Sequence, residues 1–167
     1  MKKHTLLAFG LIAVLGVALL PAANAADATA DATAVILGDL TITNVDDLNF
    51  GNIAVNGAGT VTVSTAGVRT NTGDVLLVAS TDVAAANFLV EGVPNATYAV
   101  TLPASATITS GANSMVVDGF ASNPAGGAGT LSGAGQQNLL VGATLNVNSG
   151  QVPGIYTGTF AVTVSYN

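Results

Sequence analysis

The sequence predicts an all-β protein whose strands pair antiparallel. Its apolar residues fall in short alternating runs separated by glycine and asparagine clusters, and valine and threonine are abundant. The last run, residues 160–166, alternates without a break, so that Phe160, Val162, Val164 and Tyr166 share one face. A period of two is typical of a strand with one buried face. These observations favour an antiparallel β-sandwich or a related closed β-architecture.

The first 25 residues have the organisation of a secretory signal peptide. A short basic head precedes an apolar run that Pro21 ends. Ala23 and Ala25 then form a small-x-small cleavage site, and the apolar run is too short for a permanent membrane span. We therefore expect cleavage after Ala25, export through the inner membrane, and no integral membrane span once the signal is removed.

Residues 26–38 form an N-terminal extension that is patterned as an extended strand. Asp or Thr occupies most of its odd positions, and small or apolar residues occupy its even positions. The even-numbered face consists of Ala28, Ala30, Ala32, Ala34, Ile36 and Gly38. The alternation favours a strand that pairs with a sheet, and the alternative is a disordered linker rich in Ala, Asp and Thr. The β-sandwich domain is predicted to cover residues 39–167.

Seven further runs within the domain are predicted to be strands. They comprise residues 60–64, 75–79, 87–91, 98–102, 104–110, 115–120 and 139–147. The continuous apolar run 75–79 predicts an interior strand, and the turn at Pro94 and Asn95 predicts a hairpin. Residues 56–59 are predicted to form a turn, and the glycine-rich residues 123–135 a flexible loop.

The charge of the chain after residue 25 excludes several classes of function. This part carries a single cation, Arg69, against nine carboxylates, and it has no His, Cys or Lys. Such acidity argues against binding to nucleic acid or to an anionic membrane surface. Histidine acid–base couples, cysteine nucleophiles, the usual zinc sites and Schiff-base chemistry are excluded as well. We expect no enzymatic activity, no metal site and no cofactor.

The polar residues that could form a site favour structural roles. Asp46 and Asp47 could bind a metal as a pair, but such aspartates more often cap a turn that enters a strand. Arg69 could bind an acidic ligand, but pairing with a nearby aspartate is the simpler interpretation.

The C-terminal stretch resembles the final strand of chaperone–usher fimbrial subunits. Those subunits end in an alternating strand with a penultimate aromatic residue and a glycine fourteenth from the end, the positions of Tyr166 and Gly154. A Leu-x-Phe-Gly run at residues 48–51 and short motifs as far as residue 145 are similar, in the same order, to archaic-type pilins. They are also similar to a related uncharacterised family of secreted bacterial proteins. The chain departs from many archaic pilins because it has no cysteine and therefore no disulfide.

The resemblance implies an immunoglobulin-like, pilin-type sandwich that lacks one strand. The C-terminal zipper strand, with Gly154, Phe160, Val162, Val164 and Tyr166, would line the resulting groove. The even-numbered face of the extension would be the donor strand that fills the groove of the next subunit. The implied partners are other copies or related subunits, a periplasmic chaperone and an outer-membrane usher. The implied destination, reached through the periplasm, is a fimbria at the cell surface or the extracellular space.

A self-complete secreted β-sandwich that acts as a binding or adhesion module is the alternative. In such a protein the N-terminal strand would pair within its own domain. The purified chain would then be a stable monomer without any added peptide.

Overall fold

A computed structural model describes residues 26–167 of the chain. The predicted signal peptide, with Ala23 and Ala25, lies outside the described residues. Residues 26–40 carry no strand, and the β-structure belongs to the compact unit Ile36–Asn167. The strands are β1 (Thr41–Asp46), β2 (Ile53–Val63), β3 (Arg69–Leu77), β4 (Ala86–Glu91), β5 (Thr97–Thr101), β6 (Ser105–Ser110), β7 (Asn113–Asn123), β8 (Ala128–Thr130), β9 (Gln136–Val147) and β10 (Thr163–Tyr166).

The strands form two antiparallel sheets, and the long strand β9 lies in the middle of the larger one. In the larger sheet the order is β1-β4-β9-β2-β3, and β7 pairs with β9 and carries β6 on its other side. The smaller sheet has the order β10-β5-β8. Every strand pair in the described residues is antiparallel, which confirms the predicted all-β sandwich.

The core consists of two apolar clusters that meet at two side chains. Valines and leucines of β2, β3, β7 and β9 form the first cluster, and side chains of β4, β5 and β9 with Leu131 form the second. Leu48 and Phe120 pack against both clusters. The buried Tyr98 hydroxyl donates to Gln137 Oε1 at 2.7 Å, so its polar atom is satisfied, and burial raises its pKa.

The predicted turn at residues 56–59 is wrong, because β2 runs through this stretch as an irregular strand. Its register with β3 shifts between Val55 and Gly59. At Gly59 a Cβ atom would collide with the carbonyl oxygen of Thr72, and Gly73 opposite has a φ of 72°. The two glycines therefore let the backbones of β2 and β3 approach closely at a bulge. The sequence pattern of such a bulge resembles that of a turn, because both are rich in Gly and Asn.

Two further predictions about strand neighbours are wrong. The run 75–79 is not an interior strand, because β3 is an edge strand on which Val75 is buried and Leu76 is exposed. Pro94 and Asn95 do not form a hairpin turn between paired strands, because β4 and β5 belong to different sheets. Asn95, with a φ of 61°, instead turns the chain from one sheet to the other.

The glycine-rich residues 123–135 are more ordered than predicted for a flexible loop. They contain the end of β7, the short strand β8 and the fully buried Leu131. Backbone pairing of β8 with β5 explains this order, since it covers the outer edge of β5.

The guanidinium of Arg69 binds backbone carbonyl groups instead of the predicted aspartate. Its Nη1 donates to the carbonyl oxygens of Phe50 at 2.7 Å and Asn52 at 3.0 Å, and its Nη2 donates to Val78 at 2.7 Å. Gly51, with a φ of 70°, lies against this guanidinium, where a Cβ atom would come within 2.7 Å of Nη1. One side chain thus joins the connection between β1 and β2 to the end of β3.

We predict that Arg69→Ala lowers the free energy of unfolding by about 2 kcal/mol, because hydrogen bonds from a charged donor contribute roughly 1.5–3 kcal/mol. Chemical denaturation would measure the change. Thr70→Ala is the matched control, since Thr70 is the exposed neighbour on β3 and should cost at most about 0.5 kcal/mol. Equal stabilities of the two variants would contradict the structural role of Arg69.

Candidate functional site

Two unpaired strand edges lie on the same side of the sandwich. Within the described residues β1 pairs only with β4, and β10 pairs only with β5. The two strands approach one another although they belong to different sheets. We call the opening between β1 and the C-terminal segment 157–166 the seam.

The seam exposes a row of apolar side chains that the two sheets only half cover. These side chains pack against the second core cluster but are not fully buried: Leu40, Ile42, Phe88, Leu102, Phe120, Phe160, Val162 and Val164. The Phe160 ring lies 4.9 Å from Phe120 and 6.2 Å from Phe88, measured between ring centroids. The seam therefore has a phenyl-rich floor close to the point where the two core clusters meet.

The predicted apolar face of the C-terminal segment is confirmed. From Phe160 to Tyr166, even-numbered residues are half-buried and odd-numbered residues are exposed. The strand itself is shorter than predicted, because ladder pairing with β5 covers only Thr163–Tyr166. Further back, Thr157 pairs with Thr109 of β6 as an isolated bridge. The segment thus follows β6 and then β5, and its alternation extends beyond its hydrogen bonds.

Glycines allow the C-terminal segment to lie close to β6. At Gly158 a Cβ atom would collide with the carbonyl oxygen of Thr107, and at Gly154 it would come 2.6 Å from the Ser110 hydroxyl. Gly154 is exposed and lies beside the end of β6, whereas the other predicted zipper residues line the seam. Its position indicates a close-packing role at the start of the segment.

Tyr166 closes one end of the seam. Its hydroxyl accepts a hydrogen bond from the backbone N–H of Val93 at 2.8 Å. A Cβ atom on Gly92 would collide with this hydroxyl and would lie 3.0 Å from side-chain atoms of Leu40 and Leu131. Gly92 is therefore a close-packing position at this end of the seam that the sequence analysis did not predict. A glycine directly after an alternating strand is the signal that could have identified it.

The sheet edges outside the seam carry features that discourage pairing. β3 lies opposite the bulge of β2 and carries Asp74 and Arg69, β8 has only three residues, and Thr157 bridges the outer edge of β6. Bulges, charges and shortness are the usual protections of an edge strand. At the seam, β10 is uncharged and has four residues, and β1 has its single carboxylate at its last residue and an irregular register with β4 after Asn44. The seam is where the unpaired edges of the two sheets lie side by side.

The N-terminal extension is exposed along its described length. Residues 26–37 carry no strand, and Val35 and Ile36 are 86% and 95% exposed. The structure therefore assigns no ladder to the predicted donor face. Gly38 is exposed, and a Cβ atom there would lie 4.0 Å from Val93 Cγ2.

The predicted polar candidates form no metal cluster in the part of the chain that the structure describes. Asp46 accepts a hydrogen bond from Asn87, and Asp47 accepts one from Asn44 at 2.6 Å. Asp46 is the last residue of β1 and Asp47 follows it, so these aspartates lie at the end of a strand and not at the predicted entry to one. No helix in residues 26–167 is long and apolar enough to cross a membrane.

A family model described as "Domain of unknown function (DUF4402)" matches residues 40–166. The chain belongs to this family. The match begins one residue before β1 and ends at the last residue of β10, so both walls of the seam belong to the DUF4402 domain. Residues 26–39 lie outside it. Neither curated proteins nor solved structures gave a significant match.

We predict that Gly92→Ala disturbs the closed end of the seam of this DUF4402 domain. The added methyl group collides with the Tyr166 hydroxyl, so we expect a loss of about 1–3 kcal/mol in unfolding free energy and faster hydrogen exchange in β10. Gly133→Ala is the matched control, because nothing lies within 4 Å of its Cβ position. Unchanged exchange in β10 of Gly92→Ala would contradict this account of Tyr166.

Proposed function

We propose that the protein is a structural subunit of a surface fimbria, in which the extension of one copy fills the seam of the next copy. The observation that carries the proposal is the seam itself: two unpaired edges beside a half-covered apolar row. The same chain carries an exposed segment whose alternation suits such an edge. Addition of an extended segment to a sheet edge is an established mode of recognition between proteins.

The alternating part of the extension and the C-terminal wall of the seam have similar lengths. Nine residues, 28–36, make up the alternating part of the extension and span about 30 Å as a strand at 3.3 Å per residue. The C-terminal wall of the seam, residues 157–166, has ten residues and is thus about as long. A donor segment of this length would cover the seam from end to end.

The small side chains of the donor face suit the bulky floor of the seam. Phe88, Phe120 and Phe160 already fill much of the space, so alanines can enter where larger residues would collide. An alanine methyl contributes only about 0.8 kcal/mol on burial. Most of the stabilisation would therefore come from covering the phenyl and valyl groups and from backbone hydrogen bonds of about 0.5–1.5 kcal/mol each.

Head-to-tail insertion does not close on itself and therefore builds a filament. Before assembly the seam needs a temporary occupant, because a free apolar edge promotes aggregation. A periplasmic chaperone and an outer-membrane usher are the partners that the resemblance to fimbrial subunits implies for these steps. The predicted signal peptide agrees with this route of export.

We predict that Ala32→Asp abolishes polymer formation, because it would place a carboxylate against the apolar floor of the seam of the next subunit. Thr33→Asp is the matched control, since it adds the same charge to the opposite face of the extension and should leave polymers intact. Electron microscopy and size-exclusion chromatography of the exported chains would measure the outcome. Loss of polymer in both variants, or in neither, would contradict insertion through the even-numbered face.

A second experiment tests whether the seam accepts the extension of another copy. We expect a chain without residues 26–36 to remain monomeric and to gain thermal stability when a synthetic peptide of residues 26–38 is added, since the bound state would be stabilised by mass action. A peptide with Ala30→Asp and Ala32→Asp is the control and should have no effect. A full chain that is monomeric and insensitive to the peptide would instead support the self-complete secreted sandwich.

A further inference from the structure

We propose that the turn before the last strand, residues 148–155, is a second contact between consecutive subunits. It would dock on the start of the domain of the subunit that donates its extension. This inference rests on the proposed function and adds to it an interface outside the seam.

The turn exposes two large aliphatic side chains on a backbone that hydrogen bonds fix. Ile155 is 85% exposed and Val152 is 49% exposed. The Tyr156 hydroxyl donates to the Val152 carbonyl at 2.7 Å and accepts from Gln151 Nε2 at 2.8 Å, and the Gln151 N–H donates to the Asn148 carbonyl. Because hydrogen bonds fix the turn, Ile155 is presented to solvent at little further entropic cost on binding.

The turn lies at the open end of the seam. The C-terminal segment runs antiparallel to β5 and β6, since Tyr166 pairs with Tyr98 and Thr157 pairs with Thr109. Tyr166 closes the seam at one end, and Ile155 lies just beyond Thr157 at the other. A donor strand that leaves the seam at this end passes the turn at once.

The pairing edges favour a donor that leaves at this end. β1 and β10 run in opposite directions, so a donor between them is antiparallel to one and parallel to the other. Antiparallel pairing is the more stable per residue. The longer alternating wall is residues 160–166, whereas the register of β1 with β4 is irregular after Asn44. A donor antiparallel to the longer wall places its Ile36 beside Thr157 and Ile155.

The short linker then forces the next domain against the turn. Only residues 37–40 separate the end of the donor face from β1, and four residues span at most about 14 Å. The domain of the donor subunit must therefore begin within this distance of Ile155. Its Leu37 is 45% exposed, and its Pro94 is exposed at the corner between β4 and β5, so both are available to cover the aliphatic turn.

Cysteine pairs test this contact directly, because the chain has no cysteine of its own. Polymers of a chain with Ile155→Cys and Leu37→Cys are treated with a bis-maleimide of about 14 Å reach. We expect a ladder of covalently joined subunits on a denaturing gel. Val116→Cys with Leu37→Cys is the matched control, since Val116 is 44% exposed on the outer face of β7 and should give no ladder.

The outcomes separate this inference from the proposed function. Polymers that form but give no ladder with Ile155→Cys would overturn the second contact and leave donor insertion intact. A ladder of equal strength with Val116→Cys, or a ladder only with Asn95→Cys at the opposite end, would overturn it as well. Failure of the unsubstituted chain to polymerise or to bind the peptide would refute the proposed function and this inference together.

A second variant measures the contribution of Ile155 to the polymer. We expect Ile155→Ser to leave peptide capture unchanged but to speed the loss of subunits from the polymer about tenfold, as burial of one aliphatic side chain requires. Val116→Ser is the control. Polymers of Ile155→Ser that match this control in length and lifetime would contradict the second contact.

Discussion

The unpaired edges of β1 and β10 are the constraint on which the proposed function depends. An antiparallel sandwich buries its apolar faces only where a strand lies on each side, and here each sheet ends at the same side of the molecule. The outer N–H and C=O groups of both strands are left for an external partner, and the phenyl-rich row between them is half covered. The closed end at Tyr166, the close packing at Gly154 and Gly158, and the length of the segment all define the shape of this opening.

The described domain maintains this opening with backbone contacts and apolar packing. Among the described residues no charged residue is buried, the buried Tyr98 has its hydroxyl group hydrogen-bonded, and the buried Oδ1 atom of Asn87 has no hydrogen-bond partner. Arg69 uses its guanidinium to hold three backbone carbonyl groups. Glycine occupies the places where backbones meet, most clearly at Gly59 and Gly92.

Local periodicity explains which parts of this structure the sequence could predict. The alternation of residues 160–166 and 139–147 is decided by burial within one strand, and the structure reproduces it. Errors arose where the outcome depends on distant residues. Asn56 and Gly57 belong to a bulge because β3 lies opposite them. The apolar run 75–79 begins in β3, which is an edge strand of its sheet. Arg69 donates hydrogen bonds to carbonyl groups of two separate segments. The resemblance of the C-terminal stretch to fimbrial subunits pointed to the seam. The roles of Gly92 and of the turn at Ile155 could be recognised only from contacts in the folded structure.

Hydrogen exchange of the backbone amides of β1 and β10 tests the central claim most directly. In monomeric protein with an empty seam, the outward-pointing amides of Thr41–Asp46 and Thr163–Tyr166 should exchange with little protection, and the same amides should become strongly protected in the assembled polymer. Full protection of both strands in a lone monomer, with no change on assembly, would show that the sandwich is already complete and would contradict the account.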